Sequence, residues 1–432
     1  MTVTNVNSEE QLYLIGCSLA LLLLLSICRG VFIFLKTGNP CDVFMVVGST
    51  ISLGIIWQTL PNKIDDSLNR VTPPDLLPII KESASTFHQT LTVVDFHADT
   101  LLWSHRDLNI RSSVGHVDLP RLLEGNVALQ VFTIVTKSPT YVNFDHNDNT
   151  SDSLTLIGFV QRWSPAAIFG GQNLLSRAIF QCQQLHSFAE LSNKQLFVIK
   201  SKRDLKRYLE YRTTTAQRVS AGLLGIEGMH ALLGKLENVD KLYNEGVRMM
   251  APVHFFDNEL GGSAHGISKY GLTEFGQRVV RRMEKLHMVL DVAHSSEALL
   301  DDLLRFSERP LLSSHTGVRG TCNNTRNLSD RHIEGIALSG GLISIAYFDQ
   351  AICGTSLKHI VDAIVYVRDI VGIEHVSLGS DFDGTTVTAF DASKLALITQ
   401  SLLEEGSFST TDVARVMGGN AVRVLGQLLP DE

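Results

Sequence analysis

Five side chains with the chemistry of metal ligands stand at the ends of apolar runs in this 432-residue sequence. His97 and Asp99 close TVVDFHAD as a His-x-Asp pair, and alternation along a strand sends both side chains to one face. Glu227 closes AGLLGIEG between Gly225 and Gly228, a crowded position where a carboxylate is seldom left without a partner. His294 ends LDVAH and His315 ends LLSSH. A lone histidine at such a place serves structure as readily as chemistry. Three imidazoles and two carboxylates at four strand ends, however, would converge on one mouth if the strands ran parallel. The mixed nitrogen and oxygen set suits zinc or a similar first-row ion, and five donors exceed what one open catalytic zinc takes. Two ions sharing a carboxylate fit better. Ions about 3.5 to 4 Å apart can hold a hydroxide between them and polarise a carbonyl, which is amide-hydrolysis chemistry without a Ser or Cys nucleophile. A second His-x-Asp pair, His116 and Asp118 in VGHVDLPRL, follows no apolar run and reads as structural.

The elements that would position these residues are eight short apolar runs separated by longer amphipathic stretches. They are Thr92 to Asp99, Val127 to Val135, Ala221 to Gly228, Val247 to His254, His287 to His294, Pro310 to His315, Gly340 to Phe348 and His375 to Phe382. Near-continuous apolar strands between helices indicate an α/β fold with a parallel sheet covered by helices, and eight units predict a (β/α)8 TIM-type barrel. A doubly wound open sheet is the rival. The polar residues favour the barrel, because most runs carry His, Asp or Glu at the end and few at the beginning. The interval from Thr136 to Ser220 exceeds one crossover helix and should insert extra helices, with Trp163 and Phe188 among its core residues.

The first 60 residues differ in kind. Leu12 to Cys28 and Val43 to Leu60 are uncharged apolar runs, each near the minimum length for crossing a bilayer. The residues before them carry Glu9 and Glu10 and no Lys or Arg, which argues against a cleaved signal and for a retained membrane anchor of one or two transmembrane helices over residues 1–60. Arg29 and Lys36 lie between the runs, so the positive-inside rule places that loop in the cytoplasm and the large domain on the extracytoplasmic side. Gly48, Ser49, Thr50, Ser52 and Gly54 dilute the second run, and a helix lying against the domain or the bilayer surface is its alternative. Pro61, Pro73, Pro74 and Pro78 would interrupt a long helix and suit a connector over 61–90, leaving 91–432 as the barrel domain. A net charge of −8 without a basic run gives no footprint for nucleic acid. Six cysteines without a CxxC pair do not decide the redox compartment.

From about Leu91 to the C-terminus the sequence resembles the membrane dipeptidase, or renal dipeptidase, family of amidohydrolase-type barrels. DFHAD, GIEG, HFFDN, LDVAHSS, SSHTGVRG, RNLSD and GSDFDG occur in that family's order, and APVHFFDNELGGSAHG with HTGVRGTCNN is similar to its bacterial branches. The resemblance implies a zinc metallopeptidase that cleaves dipeptides or related small substrates with two Zn(2+) per chain. His97 and Asp99 would bind one ion, His294 and His315 the other, and Glu227 would bridge them. It further implies His254 as a substrate-binding histidine able to steady an oxyanion, and Arg326 as the fork for a terminal carboxylate. Asp381, the first Asp of GSDFDG, would be the group that moves a proton to the leaving amine. Without the motif, Arg326 would read as one half of a surface ion pair. Another amidohydrolase-type activity on lactams, esters or peptides, or an inactive membrane-tethered binding barrel, is the alternative function. A homodimer is left open as a further partner.

Overall fold

The computed structural model describes residues 36, 40–71 and 77–432. The chain divides into two compact units, Met1–Ser67 and Leu68–Glu432. In the first, one helix covers Pro40–Leu68 and contains Pro61. The proline expected to interrupt a helix is therefore carried inside one, at the cost of one backbone donor. Among the described residues no helix is long and apolar enough to cross a membrane. The second apolar run is helical. The first run, Leu12 to Cys28, lies outside the described residues.

The larger unit is a mixed α/β fold whose nine strands are β1 Val93–Ala98, β2 Val127–Val135, β3 Leu196–Val198, β4 Ser220–Glu227, β5 Val247–Met250, β6 Val289–Leu290, β7 Leu312–Thr316, β8 Leu342–Ile345 and β9 Val376–Leu378. Every strand pair is parallel. One sheet runs β1-β2-β4-β5-β6 with β3 added against β4, and a second runs β7-β8-β9. Isolated parallel bridges, Asp291 with Leu312 and Ala98 with Phe382, connect the chain just beyond β6 to β7 and β1 to the chain beyond β9. Each of the eight apolar runs contributes a strand, and β3 is the exception. It occupies the first half of a β4 edge, opposite Ser220–Gly222, while β5 occupies the second half, opposite Leu224–Ile226.

The strands are buried along most of their length, with apolar side chains on both faces. Phe96, Val131, Leu223, Met249 and Val289 pack in one cluster, whereas their neighbours Phe132, Leu224, Met250 and Leu290 pack in the other. The segment between β2 and β4 inserts helices Leu154–Val160, Pro165–Phe169, Asn173–Leu191 and Lys202–Thr214. Trp163 is buried there and Phe188 packs partly buried against the core.

Candidate metal centre

Parallel strands put all C-terminal ends on one side, and the polar residues of the site occupy that side. His97 is the penultimate residue of β1 and Asp99 directly follows the strand, Glu227 is the last residue of β4, and His315 lies within β7. His254, His294 and Asp381 come three or four residues after β5, β6 and β9. Arg326 is on the loop between β7 and the helix Asp330–Leu338. All eight residues predicted for the site are buried.

Glu227 is the centre. Its Oε1 lies 2.8 Å from His294 Nε2 and 3.2 Å from His315 Nε2, while its Oε2 lies 3.4 Å from His254 Nε2 and 3.7 Å from His97 Nε2. His97 Nε2 is in addition 3.6 Å from Asp99 Oδ1 and 3.8 Å from Asp381 Oδ1. Among the described residues three overlapping groups have donor atoms close enough to hold an ion: His97 with Asp99 and Glu227, Glu227 with His254 and His294, and His97 with His315 and Asp381. Two details show that the set fits metal. His97 Nε2 is buried without a hydrogen bond although three carboxylates surround it, and the Nε2 atoms of His294 and His315 face each other at 3.0 Å. Imidazole nitrogens and carboxylate oxygens converging in a buried site are arranged for a cation.

The backbone holds this arrangement at a cost. His294 and Asp381 both have φ of 62°, the left-handed region that non-glycine residues rarely adopt. Gly228, directly after Glu227, has φ 77°, and a Cβ there would lie 2.9 Å from His254 Cβ. A larger residue would displace His254 from the carboxylate. At His97 and around Ser314 the strand pairing shifts register, between Asp95 and Ala98 in β1 and between Ser313 and Thr316 in β7.

The electrostatics follow from burial. Burial pushes the carboxyls of Glu227 and Asp381 upward, with His97 opposing it in both cases. Burial acts to lower His97, yet Glu227 and Asp99 outweigh it and raise its pKa well above the ordinary histidine value. His254, His294 and His315 are driven well below that value, first by burial and then by surrounding positive groups. Neutral imidazoles are the form that binds metal. Arg326 is no surface residue: it is buried, its NH2 group donates to the His315 carbonyl at 2.7 Å, and among the described residues no carboxylate lies within ion-pair distance. Its Nε is buried without a partner. A cavity of about 400 Å³ beside it is lined by Phe144, Asp145, Asn324, Asp349 and the Cys322–Cys353 disulfide. A larger groove of about 610 Å³ lies along Glu274–Lys285 and includes none of the site residues.

Several members of the site were not singled out from the sequence. Thr133 donates to Asp99 Oδ1 at 2.5 Å, and Asp95 and Asp291 are buried carboxylates that accept backbone N–H groups of His97 and Ala293. Both acids precede a ligand candidate by two or three residues inside an apolar run of the sequence, and a buried Asp in such a run was the signal available. The Cys322–Cys353 pairing had none, since its partners stand 31 residues apart.

A parallel strand system with buried histidines and carboxylates gathered at the strands' C-terminal side defines an α/β scaffold with a candidate metal centre. Residues 81–429 match the membrane dipeptidase family, Peptidase family M19, and the chain belongs to that family. Dipeptidase aclJ of Aspergillus oryzae is 33% identical over 226 residues, 49% of this chain and 52% of that protein, so the chain spans about half the length of this curated relative. The crystal structure of the probable dipeptidase PvdM from Pseudomonas aeruginosa superposes with a TM-score of 0.66 at 21% identity, covering 80% of this chain and 98% of the other. A metallo peptidase from Rhodobacter sphaeroides, liganded with a phosphinate mimic of the dipeptide L-Ala-D-Ala, gives a TM-score of 0.64 at 22% identity over 78% and 99% of the two chains. At these identities the two structures establish a shared fold.

Proposed function

We propose that this protein is a two-zinc dipeptidase that hydrolyses the peptide bond of free dipeptides. The observation that carries the reading is Glu227, whose two oxygens face two separate sets of imidazoles, as a bridging carboxylate must. His97 and Asp99 would hold one ion with Glu227, and His294 and His315 the other. Ions bound there would activate a water and polarise the scissile carbonyl. Arg326 presents its fork to the substrate's terminal carboxylate, a role that supplies the anion its buried guanidinium lacks. His254, neutral and beside Glu227, can steady the developing oxyanion, and Asp381, with its carboxyl pushed up by burial, can pass a proton to the leaving amine. We read the two sheets as one closed (β/α)8 barrel formed by β1, β2 and β4 to β9, a reading supported by the bridges Asp291–Leu312 and Ala98–Phe382. The test is a panel of dipeptides assayed with and without added zinc, together with elemental analysis. Two ions per chain and zinc-dependent cleavage support the proposal. A fully active metal-free preparation overturns the mechanism, and turnover of lactams or esters with no dipeptide cleavage moves the protein to another amidohydrolase-type activity.

Attachment to a membrane through residues 1–60, with the catalytic domain outside the cytoplasm, is part of the same proposal. Its support is the placement of Arg29 and Lys36 between two apolar runs and the Cys322–Cys353 disulfide, a bond that persists in oxidising compartments. Protease added to intact cells should digest the domain. Protection until lysis would reverse the orientation.

A further inference from the structure

Each imidazole of a metal site has two nitrogens, and the one turned away from the ion decides whether the other carries a lone pair. His97 and His315 turn their Nε2 atoms toward Glu227, at 3.7 and 3.2 Å. Their Nδ1 atoms both meet the hydroxyl of Ser314, at 3.2 Å from His97 and 2.9 Å from His315. One hydroxyl can serve both because the two rings are adjacent, with centroids 3.7 Å apart. The Ser314 backbone N–H donates to the buried carboxylate of Asp291 at 2.9 Å, which fixes the residue between the two rings. The Ser314 side chain is fully buried, so no water competes for these bonds.

The hydroxyl has two lone pairs, one for each neighbouring Nδ1. A neutral ring that donates from Nδ1 to this oxygen keeps its lone pair on Nε2, the atom that faces the carboxylates. Asp291 fixes the whole unit, since the same carboxylate accepts the N–H of Ala293, next to His294, at 3.0 Å. Gly379 admits this packing: a Cβ there would lie 1.7 Å from the Ser314 carbonyl oxygen.

We propose that Ser314 is a positioning residue shared by the two ion sites, a single hydroxyl that sets the tautomer and ring orientation of one imidazole in each. The inference rests on the two-ion reading given above. Its consequence is specific: loss of the hydroxyl weakens both ions together, although Ser314 touches neither.

The test is zinc binding by the full chain, followed by competition with a chromophoric chelator, for the unaltered protein and for Ser314→Ala, Ser314→Cys and Ser314→Thr. Ser314→Ala should weaken both zinc ions by about 10- to 100-fold with secondary structure retained. Ser314→Cys keeps the shape but offers a poor acceptor and should behave like the alanine variant, so the test stands even if one of the two fails to fold. Ser314→Thr retains the oxygen and should recover most of the affinity for both ions. Unchanged affinities in folded Ser314→Ala and Ser314→Cys, or weakening of one ion alone, would overturn the shared role. If the unaltered chain bound fewer than two zinc ions, the two-ion reading itself would fail first, and the inference with it.

Discussion

The molecule uses the same His-x-Asp spacing twice, and the two pairs end in opposite circumstances. In the second, every polar side-chain atom has a protein partner. The His116 backbone N–H donates to Asp383 Oδ1 at 2.7 Å, its Nδ1 accepts the Asp383 N–H at 3.0 Å, and its Nε2 lies 3.3 Å from the Arg70 carbonyl. Asp118 caps the helix Leu119–Glu124 by accepting the Arg121 N–H at 2.9 Å and also holds the Arg121 guanidinium. In the first pair His97 Nε2 is buried among three carboxylates and bonded to none. Spacing does not distinguish ligand from strut. What distinguishes them is whether the protein itself completes the hydrogen bonding, since a buried polar atom left open must be completed by something else.

The most severe way to break the comparison is to remove the bridging carboxylate. Glu227→Gln keeps the shape but not the charge, and it should lose metal and reduce dipeptide kcat/KM by on the order of a thousandfold or more, about 4 kcal/mol. Metal content and activity are read on the same preparation. A variant that kept both ions and near-normal turnover would return Glu227 to the company of Asp118, as a structural acid. Next in size is Arg326→Met, expected to weaken turnover of free dipeptides by roughly 2 to 4 kcal/mol in transition-state terms with metal content unchanged. Amidated dipeptides should already be poor substrates of the unaltered enzyme. Equal cleavage of amidated and free dipeptides would remove the carboxylate clamp.

His116→Ala should do the reverse of Glu227→Gln. It strands the Asp383 N–H and should lower the unfolding free energy by about 1 to 3 kcal/mol, while the folded fraction keeps its ions. Denaturant unfolding together with metal analysis checks both halves, and loss of metal in the folded protein would mean that the second pair also serves the site.

The legible part of this chain was its apolar punctuation. Eight strands and the polar residues at their ends could be read because parallel strands buried on both faces are written as mainly apolar runs. β3 was not, being three residues long and half-buried, too short to stand out from the loop around it. The roles of His254, Arg326 and Asp381 came from family likeness, because a histidine or aspartate three or four residues past a strand and an arginine in a loop have no distinguishing period. Ser314 lies within SSHTGVRG, where no local pattern marks it. Simple alternation would send Ser314 and His315 to opposite faces, and only the register shift between Ser313 and Thr316, together with the nearness of Nδ1 to the backbone, brings Oγ to the ring. The disulfide joins residues 31 positions apart, a pairing that no local pattern contains.

The smallest expected effect concerns histidines outside the cluster. His230, fully buried on the segment after β4 with its ring edge-on to Phe256, is pushed down to about 4 by burial, and His105 is likewise lowered to about 4, chiefly by burial. Both should be neutral in the folded chain where the unfolded chain, with its ordinary value of 6.5, takes up a proton. Between pH 6.5 and 4 the unfolded state therefore binds more protons, so stability falls as the pH falls, and above 6.5 these groups contribute no slope. His230 alone can supply at most about 1.4 kcal/mol per pH unit within the window, and the partly exposed His105 less. Acid also strips metal from its ligands, so the measurement is a difference: urea unfolding of the unaltered chain and of His230→Gln at pH 7, 6 and 5. The metal contribution is common to both and cancels. The variant should lose less stability than the unaltered chain on going from pH 7 to pH 5, and parallel curves would mean that His230 is protonated equally in the folded and unfolded chain.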